Sequence, residues 1–261
     1  MSDDSPMIEA RGLSKFYGDF AAVRDMSYTI QKGEIVAFLG PNGAGKSTTM
    51  KMLTGYLSAS EGSALIAGFD MSKQRLEGSR QLGYLPESGP LYPDMTPAEM
   101  LHFFGEARGL RDKELKSAVA DAVEAVQLQS VYHKPIGKLS KGFRQRVGMS
   151  QALLHKPDVL IMDEPTSGLD PNQTDQIRDV ILEWGKDRTI LLSTHILQEV
   201  EAMASRVIIV NEGQKVADGP LSEFQVDGKS LADEFRRLTK RTVERKSSAS
   251  MTARPDFEVP Q

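Results

Sequence analysis

A glycine-rich loop between two ordered segments constrains the fold of this sequence more than any other feature. Residues 40–47 are Gly-Pro-Asn-Gly-Ala-Gly-Lys-Ser and fit the pattern G-x-x-x-x-G-K-[ST]. The apolar residues 35–39 predict a buried strand before the loop, and residues 46–54 predict a helix after it. In such a loop backbone N–H groups surround a phosphate, Lys46 adds a positive charge and Ser47 offers its hydroxyl to Mg²⁺. The pattern arises by chance in roughly one chain of this length in a hundred, so we interpret it as a phosphate-binding loop rather than an ordinary glycine-rich turn.

The rest of the chain predicts an α/β fold with a mainly parallel sheet. After residue 155, apolar strands alternate with amphipathic helices, which is typical of β-α-β units. Residues 7–36 predict short strands and turns. The further predicted strands are residues 63–67, 82–85, 159–162, 189–193 and 207–210, with helices after Pro171 and through Val200.

Residues 88–155 predict a helical subdomain among these strands. Thr96-Pro97-Ala98-Glu99 has the composition of a capping box with proline at the first helical position. Leu115, Val119 and Ala122 then repeat at helical spacing. We therefore expect at least two helices before the strands resume.

The C-terminal region differs in composition from the rest. We expect residues 1–225 to form one domain and residues 226–261 to extend from it. Residues 229–246 carry seven basic and three acidic side chains, which favours a solvated helix; contact with anionic lipid or with a partner is the alternative. Residues 247–261 are small, polar and proline-containing, and they predict disorder.

Composition excludes several classes of protein. Thirty-two basic against 36 acidic side chains give a net charge of −4, so no overall field attracts a polyanion and nucleic acid is not expected as a partner. The absence of cysteine excludes disulfides and thiolate metal sites. The apolar runs are too short to cross a membrane, and the first residues lack the pattern of a secretory signal. We expect a cytosolic location.

Two further segments contain residues suited to binding a metal ion or an anion or to catalysis. Asp163 and Glu164 end a predicted parallel strand, where ligands bind in such sheets. Asp163 suits Mg²⁺, and Glu164 is placed to polarise a water that attacks a γ-phosphate; a solvated acidic turn is the alternative. Residues 139–143, Leu-Ser-Lys-Gly-Phe, open a helix and predict either a second anion site or an ordinary helix cap.

The sequence resembles the nucleotide-binding subunits of ABC transporters over roughly residues 7–225. The resemblance rests on the glycine-rich loop, residues 139–143, Asp163-Glu164, the segment Ser167-Gly168-Leu169-Asp170 and His195, which occur in the order and spacing of that family. Residues 83–87, 90–92 and 139–145 look most like ATP-binding subunits of ABC-2 type exporters, including the gliding-motility-associated group.

The resemblance implies a P-loop NTPase cassette with a RecA-like parallel sheet, a small antiparallel β subdomain and a helical subdomain. It implies that two copies close head to tail over two ATP molecules, so that Ser140 and Gly142 of one copy meet the γ-phosphate bound by the other. The implied ATP-binding residues are Tyr17, Gly40, Pro41, Asn42, Gly43, Ala44, Gly45, Lys46, Ser47, Thr48, Ser140 and Gly142. Mg²⁺ is expected at Ser47, Glu87 and Asp163, and catalysis by Glu164, His195 and Lys46.

Individual roles also come from this resemblance. Tyr17 matches the aromatic residue that stacks on adenine, although a plain surface tyrosine is the alternative. His195 matches the residue that contacts the γ-phosphate. Asp170 matches the loop that communicates across the dimer, and it is also a suitable N-cap for the helix opened by Pro171.

The sequence departs from the family pattern at two places. Glu87 replaces the usual glutamine, and we expect it to bind Mg²⁺ and make ATP binding more dependent on the metal. Lys141 and Phe143 replace a glycine and a glutamine of the family's signature. Because the phosphate-facing residues Ser140 and Gly142 are kept, we expect the site to bind phosphate. We do not expect Phe143 to make the contacts that a glutamine usually makes at that position.

The implied partner is a pair of ABC-2 type membrane permease subunits, with this chain peripheral on the cytoplasmic face of the plasma membrane. Tyr92 is the candidate residue for docking such a partner, whereas Phe103, Phe104 and Trp184 are expected in the core. A regulatory switch acting on a cell-envelope enzyme or filament, without solute transport, stays open as the alternative function. Ribosome-acting relatives usually carry two cassettes and chromosome-repair relatives a long coiled-coil insertion, and neither is present in this sequence.

Overall fold

Two sheets and a group of helices make up the structure. The computed structural model describes residues 5–89, 91–225 and 230–250, with backbone alone for residues 241–250. The strands are β1 (Ile8–Tyr17), β2 (Phe20–Ile30), β3 (Ile35–Leu39), β4 (Glu61–Ile66), β5 (Phe69–Asp70), β6 (Leu82–Leu85), β7 (Val159–Asp163), β8 (Thr189–Thr194), β9 (Arg206–Asn211) and β10 (Gln214–Pro220). The helices are α1 (Lys46–Leu53), α2 (Arg75–Gln81), α3 (Pro97–Ala107), α4 (Asp112–Ala125), α5 (Lys141–Leu153), α6 (Pro171–Gly185), α7 (Leu197–Met203) and α8 (Leu231–Ser250).

The larger sheet has six strands in the order β10-β9-β3-β8-β7-β6. β9, β3, β8, β7 and β6 pair in parallel, and β10 pairs antiparallel with β9 at one edge. This confirms the predicted mainly parallel sheet. The carboxyl ends of β3, β7 and β8 lie side by side, with Leu39 opposite Thr194 and Asp163 opposite Ser193, so the segments that follow them share one edge of the sheet.

β3 is apolar throughout because both faces of the sheet are covered. Val36 and Phe38 pack in a core with the second sheet and α1, whereas Ala37 and Leu39 pack in a core with the helices on the other side. All four side chains are fully buried. A continuous apolar run is therefore what this position requires.

The smaller sheet is antiparallel, in the order β2-β1-β4-β5. The short strands predicted in residues 7–36 are in fact two long ones of ten and eleven residues. The pairing of β1 with β2 shifts register after Ala10, Leu13 and Lys15. Each shift breaks the alternation of apolar and polar residues, which is why the sequence pattern suggested several short strands.

The helical region comprises α3, α4 and α5. Its capping box is confirmed: Glu99 N donates to Thr96 Oγ1 at 3.2 Å, and Thr96 N donates to Glu99 Oε2 at 2.8 Å. α4 buries Leu115, Val119 and Ala122, which is the stripe seen in the sequence.

Three elements were not predicted. β5 has two residues, α2 carries Gly78 in its interior, and β10 is a polar edge strand. None of them has enough apolar residues at a regular period to be recognised locally. Each is held by its neighbours: β10, for example, pairs along β9.

The C-terminal extension contains α8, which runs through Ser250. Residues 247–250, predicted to be disordered, therefore belong to this helix, and residues 251–261 lie outside the described residues. No helix in the described part of the chain combines the length and the apolar character needed to cross a membrane.

Candidate functional site

The glycine-rich loop joins β3 to α1 and has the backbone shape of an anion-binding site. Gly43 and Gly45 have φ angles of 80° and 93°, in the left-handed region that favours glycine. A Cβ at Gly45 would lie 2.6 Å from the carbonyl oxygen of Ala22, so no larger residue fits. Gly45 caps α1 without any side-chain hydrogen bond, which leaves the first N–H groups of the helix to a ligand.

Lys46 is buried at the start of α1, with its ammonium group inside the loop. Nζ donates to the carbonyl oxygens of Gly40 at 2.8 Å and Pro41 at 3.3 Å. Nζ also forms an ion pair with Glu164 Oε1 at 3.2 Å, and both side chains are less than one tenth exposed. The loop thus holds its own cation through two of its carbonyl oxygens.

The two adjacent carboxylates are both buried, which excludes the alternative of a solvated acidic turn. Asp163 is 1% exposed, and its Oδ1 accepts a hydrogen bond from Ser193 Oγ at 2.5 Å. Glu164 is 8% exposed, and its N–H donates to the same Oγ at 3.1 Å. Glu164 has a φ of 50°, which is uncommon for a residue with a side chain. This backbone turn separates the directions of two neighbouring carboxylates.

His195 follows β8 directly and contacts Glu164 from the other side. Its Nδ1 lies 2.9 Å from Glu164 Oε2. The carboxylate of Glu164 therefore has one oxygen on Lys46 and the other on His195. Three of the residues predicted as catalytic meet at one point although they come from three different segments of the chain.

Around this point lies a cavity of about 560 Å³. Its lining contains ten of the predicted residues and three that the sequence did not suggest, Phe20, Ala22 and Ser167. The ten are Tyr17, Asn42, Gly43, Gly45, Lys46, Ser47, Thr48, Glu87, Glu164 and His195. Gly40, Pro41, Ala44 and Asp163 do not line it; they shape the loop and the strand behind it.

Two exposed aromatic rings stand at the mouth of the cavity. Tyr17 and Phe20 face each other across the end of the β1–β2 hairpin and are 53% and 65% exposed. Large aromatic side chains are costly to leave in water, so these rings offer a surface for a flat ligand. Phe20 was missed in the sequence; its place two residues after Gly18, at a turn close to Tyr17, is the signal that could have identified it.

Oxygen groups suited to Mg²⁺ are present, but none forms a ready-made metal cage. Ser47 and Glu87 line the cavity, and Asp163 lies behind it at the end of β7. Among the described residues, no group of three or more histidines or acidic residues converges as a metal site. Hydroxyl and carboxylate donors fit Mg²⁺, which commonly takes its remaining ligands from phosphates and water.

Ser140 and Gly142 lie in a different cavity, also of about 560 Å³. Ser140 caps α5, its Oγ accepting from Phe143 N at 3.4 Å. A Cβ at Gly142 would lie 2.7 Å from Gln173 Oε1, so glycine is needed for this packing. This second cavity shares no lining residue with the first.

The departures from the family signature have visible local partners. The ammonium group of Lys141 lies against Gly168, in the segment that leads to Asp170. The ring of Phe143 lies 5.6 Å from the guanidinium of Arg146, a favourable cation–π distance. Asp170 is the N-cap of α6, accepting from Gln173 N at 2.9 Å, as the sequence suggested.

One prediction about the core is wrong. Phe103 is half exposed and Phe104 is only partly buried, and both rings contact Tyr92, itself 45% exposed. Phe103 was expected among the core residues of the helical subdomain, but it is exposed beside Tyr92. Phe104, by contrast, packs against the core. Trp184 is buried as predicted.

Comparison with known proteins gives a consistent result. Residues 23–167 match the family described as ABC transporter. The chain is 39% identical over 206 residues to the ABC transporter ATP-binding protein NatA of Bacillus subtilis (78% of this chain, 83% of that protein). It is 35% identical over 219 residues to the linearmycin resistance ATP-binding protein LnrL of the same organism (84% and 70%). A solved structure, of an ATP binding subunit of an ABC transporter, superposes with a TM-score of 0.80 at 31% identity and covers 89% of this chain and 99% of its own.

Proposed function

The chain belongs to the ABC transporter family as one of its ATP-binding subunits, which are ATPases, and on this premise we propose that it is the motor of an ABC-2 type exporter. It works as a head-to-tail dimer, with ATP and Mg²⁺ between the copies and a separate permease in the membrane. The relative LnrL, whose name assigns it to linearmycin resistance, supports export as the direction of transport.

The separation of the two cavities carries this proposal. One cavity has the phosphate loop, Glu164 and His195, while Ser140 and Gly142 line the other. The start of α5, where Ser140 and Gly142 lie, is a helix N-terminus of the kind that binds anions, but the phosphate loop is not part of its cavity. Two copies facing each other complete both sites at once, because each supplies what the other lacks.

The arrangement suits cleavage of a phosphoanhydride. Lys46 and the N–H groups of the loop bind the phosphates and stabilise their charge. Glu164 accepts a proton from the attacking water, whose oxygen bonds to the γ-phosphorus as the bond to the bridging oxygen breaks. His195 orients the carboxylate of Glu164 through the 2.9 Å contact. Binding of the triphosphate requires Lys46 to exchange Glu164 for phosphate oxygens.

Mg²⁺ would be bound by Ser47 and Glu87, which line the cavity, and by Asp163, directly or through water. When bound, the ion would neutralise part of the charge of the phosphates. Tyr17 and Phe20 bind the base by stacking, which positions the nucleotide more than it selects the base.

The permease is proposed to dock on the face that carries Tyr92 and Phe103. A cleft of about 460 Å³ opens on the same part of the chain, next to Pro86 and Ser88. Its lining includes three basic side chains, which belong to Lys51, Arg75 and Arg108. None of the three forms an ion pair within the described part of the chain. Cations of this kind favour a docking segment that carries carboxylates. Because the cleft borders the segment of Glu87, which lines the nucleotide cavity, a permease docked there would be coupled to the nucleotide site. A chain docked in this way would lie on the cytoplasmic face of the membrane.

A trapped dimer tests the ATPase part of the proposal. Glu164→Gln is expected to lower kcat by about a hundredfold or more and to form an ATP-dependent dimer, measured by light scattering after gel filtration. Glu183→Gln, which neutralises an exposed glutamate, should behave like the wild type. Normal hydrolysis by Glu164→Gln would show that another group is the base.

Complementation tests the shared site. Lys46→Ala and Ser140→Arg are each expected to be inactive. In a mixed dimer the intact loop of one copy faces the intact signature of the other, so one of two sites is restored. With random mixing, half of the dimers are mixed, and about a quarter of wild-type activity should return. No recovery from folded, ATP-binding partners would contradict the head-to-tail dimer.

Co-purification identifies the partner. Tagged protein extracted in mild detergent should retain an integral membrane chain, and Arg75→Glu should weaken its retention. Arg178→Glu, on α6 and outside this cleft, should not. A six-helix partner supports export. A four-helix partner with a large domain outside the membrane would overturn export in favour of the regulatory switch.

A further inference from the structure

Glu199 is a buried carboxylate that no motif of the nucleotide site accounts for. It lies on α7 and is 6% exposed. Its Oε2 accepts a hydrogen bond from Thr194 Oγ1 at 2.6 Å, and its Oε1 accepts one from Thr166 Oγ1. A buried carboxylate destabilises the fold unless its oxygens are hydrogen-bonded. Here the two threonine hydroxyls bond both of them.

The two threonines belong to the two segments that carry the reacting groups. Thr194 is the last residue of β8, directly before His195. Its Oγ1 also accepts from Ile196 N at 3.0 Å, so the hydroxyl fixes the turn that contains His195. Thr166 stands two residues after Glu164 in a second turn, in which Ser167 N donates to Glu164 O at 3.1 Å. One carboxylate therefore connects the His195 turn to the Glu164 turn.

Glu164 needs such support because its backbone is strained. A non-glycine residue with φ of 50° persists only where the surrounding structure holds it. Ser193 supports it on the strand side, through the bond from Glu164 N. Glu199 supports the far side of the same turn, where the chain has already left the sheet.

We propose that Glu199 is a positioning residue: by binding Thr166 and Thr194 together it holds the Glu164 carboxylate and the His195 ring in register. Glu199 contacts neither substrate nor metal in this assignment. It rests on the proposed function in one respect, namely that Glu164 is the base whose position matters for hydrolysis.

The substitutions separate hydrogen bonding from space filling. Glu199→Met keeps the side-chain volume and removes both acceptors. Glu199→Gln keeps both links, because each threonine hydroxyl either donates or accepts. Thr166→Val removes one link with little change in shape and serves if Glu199→Met does not fold. Glu201→Met, on the same helix but exposed, is the matched control.

A kinetic measurement gives the first result. Misplacement of a reacting group by about 1 Å costs up to about a hundredfold in rate, so Glu199→Met is expected to lower kcat by about tenfold or more. The KM for ATP should stay within about twofold, since the phosphate loop is untouched. Glu199→Gln should restore most of kcat. In the His195→Ala background, Glu199→Met should lower kcat by a smaller factor than in the wild type, because only the link to the Glu164 turn is then left to lose.

Hydrogen exchange without nucleotide gives the second result. In Glu199→Met, or in Thr166→Val if that variant is used, amides of residues 164–169 and 194–197 should exchange at least about tenfold faster. Those of α1 should exchange as in the wild type.

Folded Glu199→Met or Thr166→Val with wild-type kcat and wild-type exchange would overturn the proposal. So would a loss of kcat that Glu199→Gln does not restore, since that points to packing or to charge alone. If the wild type hydrolyses no ATP, the proposed function fails on that measurement, while the exchange result still decides whether Glu199 connects the two turns.

Discussion

His155 makes the stability of this protein sensitive to mild acid. It follows α5 and ties that helix to the sheet, because its Nε2–H donates to the carbonyl oxygen of Leu82 at 3.0 Å. Its Nδ1 is buried and has no hydrogen-bond partner among the residues that the structure describes. Burial, and to a lesser degree the charge of Arg108, lowers the pKa of His155 to about 4. A proton on Nδ1 would place a positive charge near that of Arg108, and the new N–H would have no acceptor among the described residues.

The size of the effect follows from proton linkage. The unfolded chain takes up a proton on this ring near pH 6.5, and the folded protein only near pH 4. Between these values the unfolded state binds more protons, so stability falls as the pH falls. The whole difference corresponds to about 3 kcal/mol, of which about 2 kcal/mol is lost between pH 7 and pH 5.

Urea unfolding at pH 7 and pH 5, followed by circular dichroism, measures this loss. His155→Gln keeps a donor for Leu82 and removes the titration, so its free energy of unfolding should fall by about 2 kcal/mol less than that of the wild type. His133→Gln controls for the loss of an exposed histidine. Equal losses in His155→Gln and wild type would refute the reasoning, since the acid sensitivity would then come from other groups.

Three further predictions concern the site and its support. Glu87→Gln should shift the Mg²⁺ dependence of ATP binding towards a weaker requirement for the metal, and superimposable Mg²⁺ titrations of the two proteins would contradict a metal-binding Glu87. Gly45→Ala should reduce binding of a fluorescent ATP analogue by about tenfold or more, because its Cβ would stand 2.6 Å from Ala22 O and a left-handed alanine is strained. Thr96→Ala should lower the free energy of unfolding by about 1 kcal/mol through loss of a helix cap, measured by urea titration against the exposed Ser117→Ala; an unchanged midpoint would show that the cap does not contribute.

The parts of the fold that were predicted from sequence are those with local causes. β3 was recognisable because an apolar run is needed where both faces of a sheet are covered. α3 was recognisable from Thr96 and Glu99, whose side chains reach only three residues along the chain. β10 was missed because pairing with β9 defines it rather than its own composition. Elements that depend on a neighbour carry a weak signal in their own residues.

The site shows the same division. Lys46, Glu164 and His195 were each found by motif, and their meeting at one cavity followed from the shared edge of a parallel sheet. Their actual contacts did not follow, since nothing in a motif says that Lys46 bonds one oxygen of Glu164 and His195 the other. Phe103 was misplaced for a related reason: an apolar residue on a helix has the same sequence signal whether it faces a core or an exposed aromatic cluster.

The ion pair between Lys46 and Glu164 links these observations to the chemistry. A buried lysine ammonium group is unfavourable without an anion, and in the structure Glu164 is that anion. Within the described part of the chain, the other partners of Lys46 are the carbonyl oxygens of Gly40 and Pro41. We therefore expect a phosphate that binds Lys46 to displace the carboxylate of Glu164. Under the function proposed above, binding of the substrate and release of Glu164 as the base would be one exchange at the Lys46 ammonium group. On this proposal the burial of Glu164 has a function, because its carboxylate stays paired with Lys46 until a phosphate displaces it. An exposed glutamate would not be held by Lys46, so phosphate binding would not change its availability as a base.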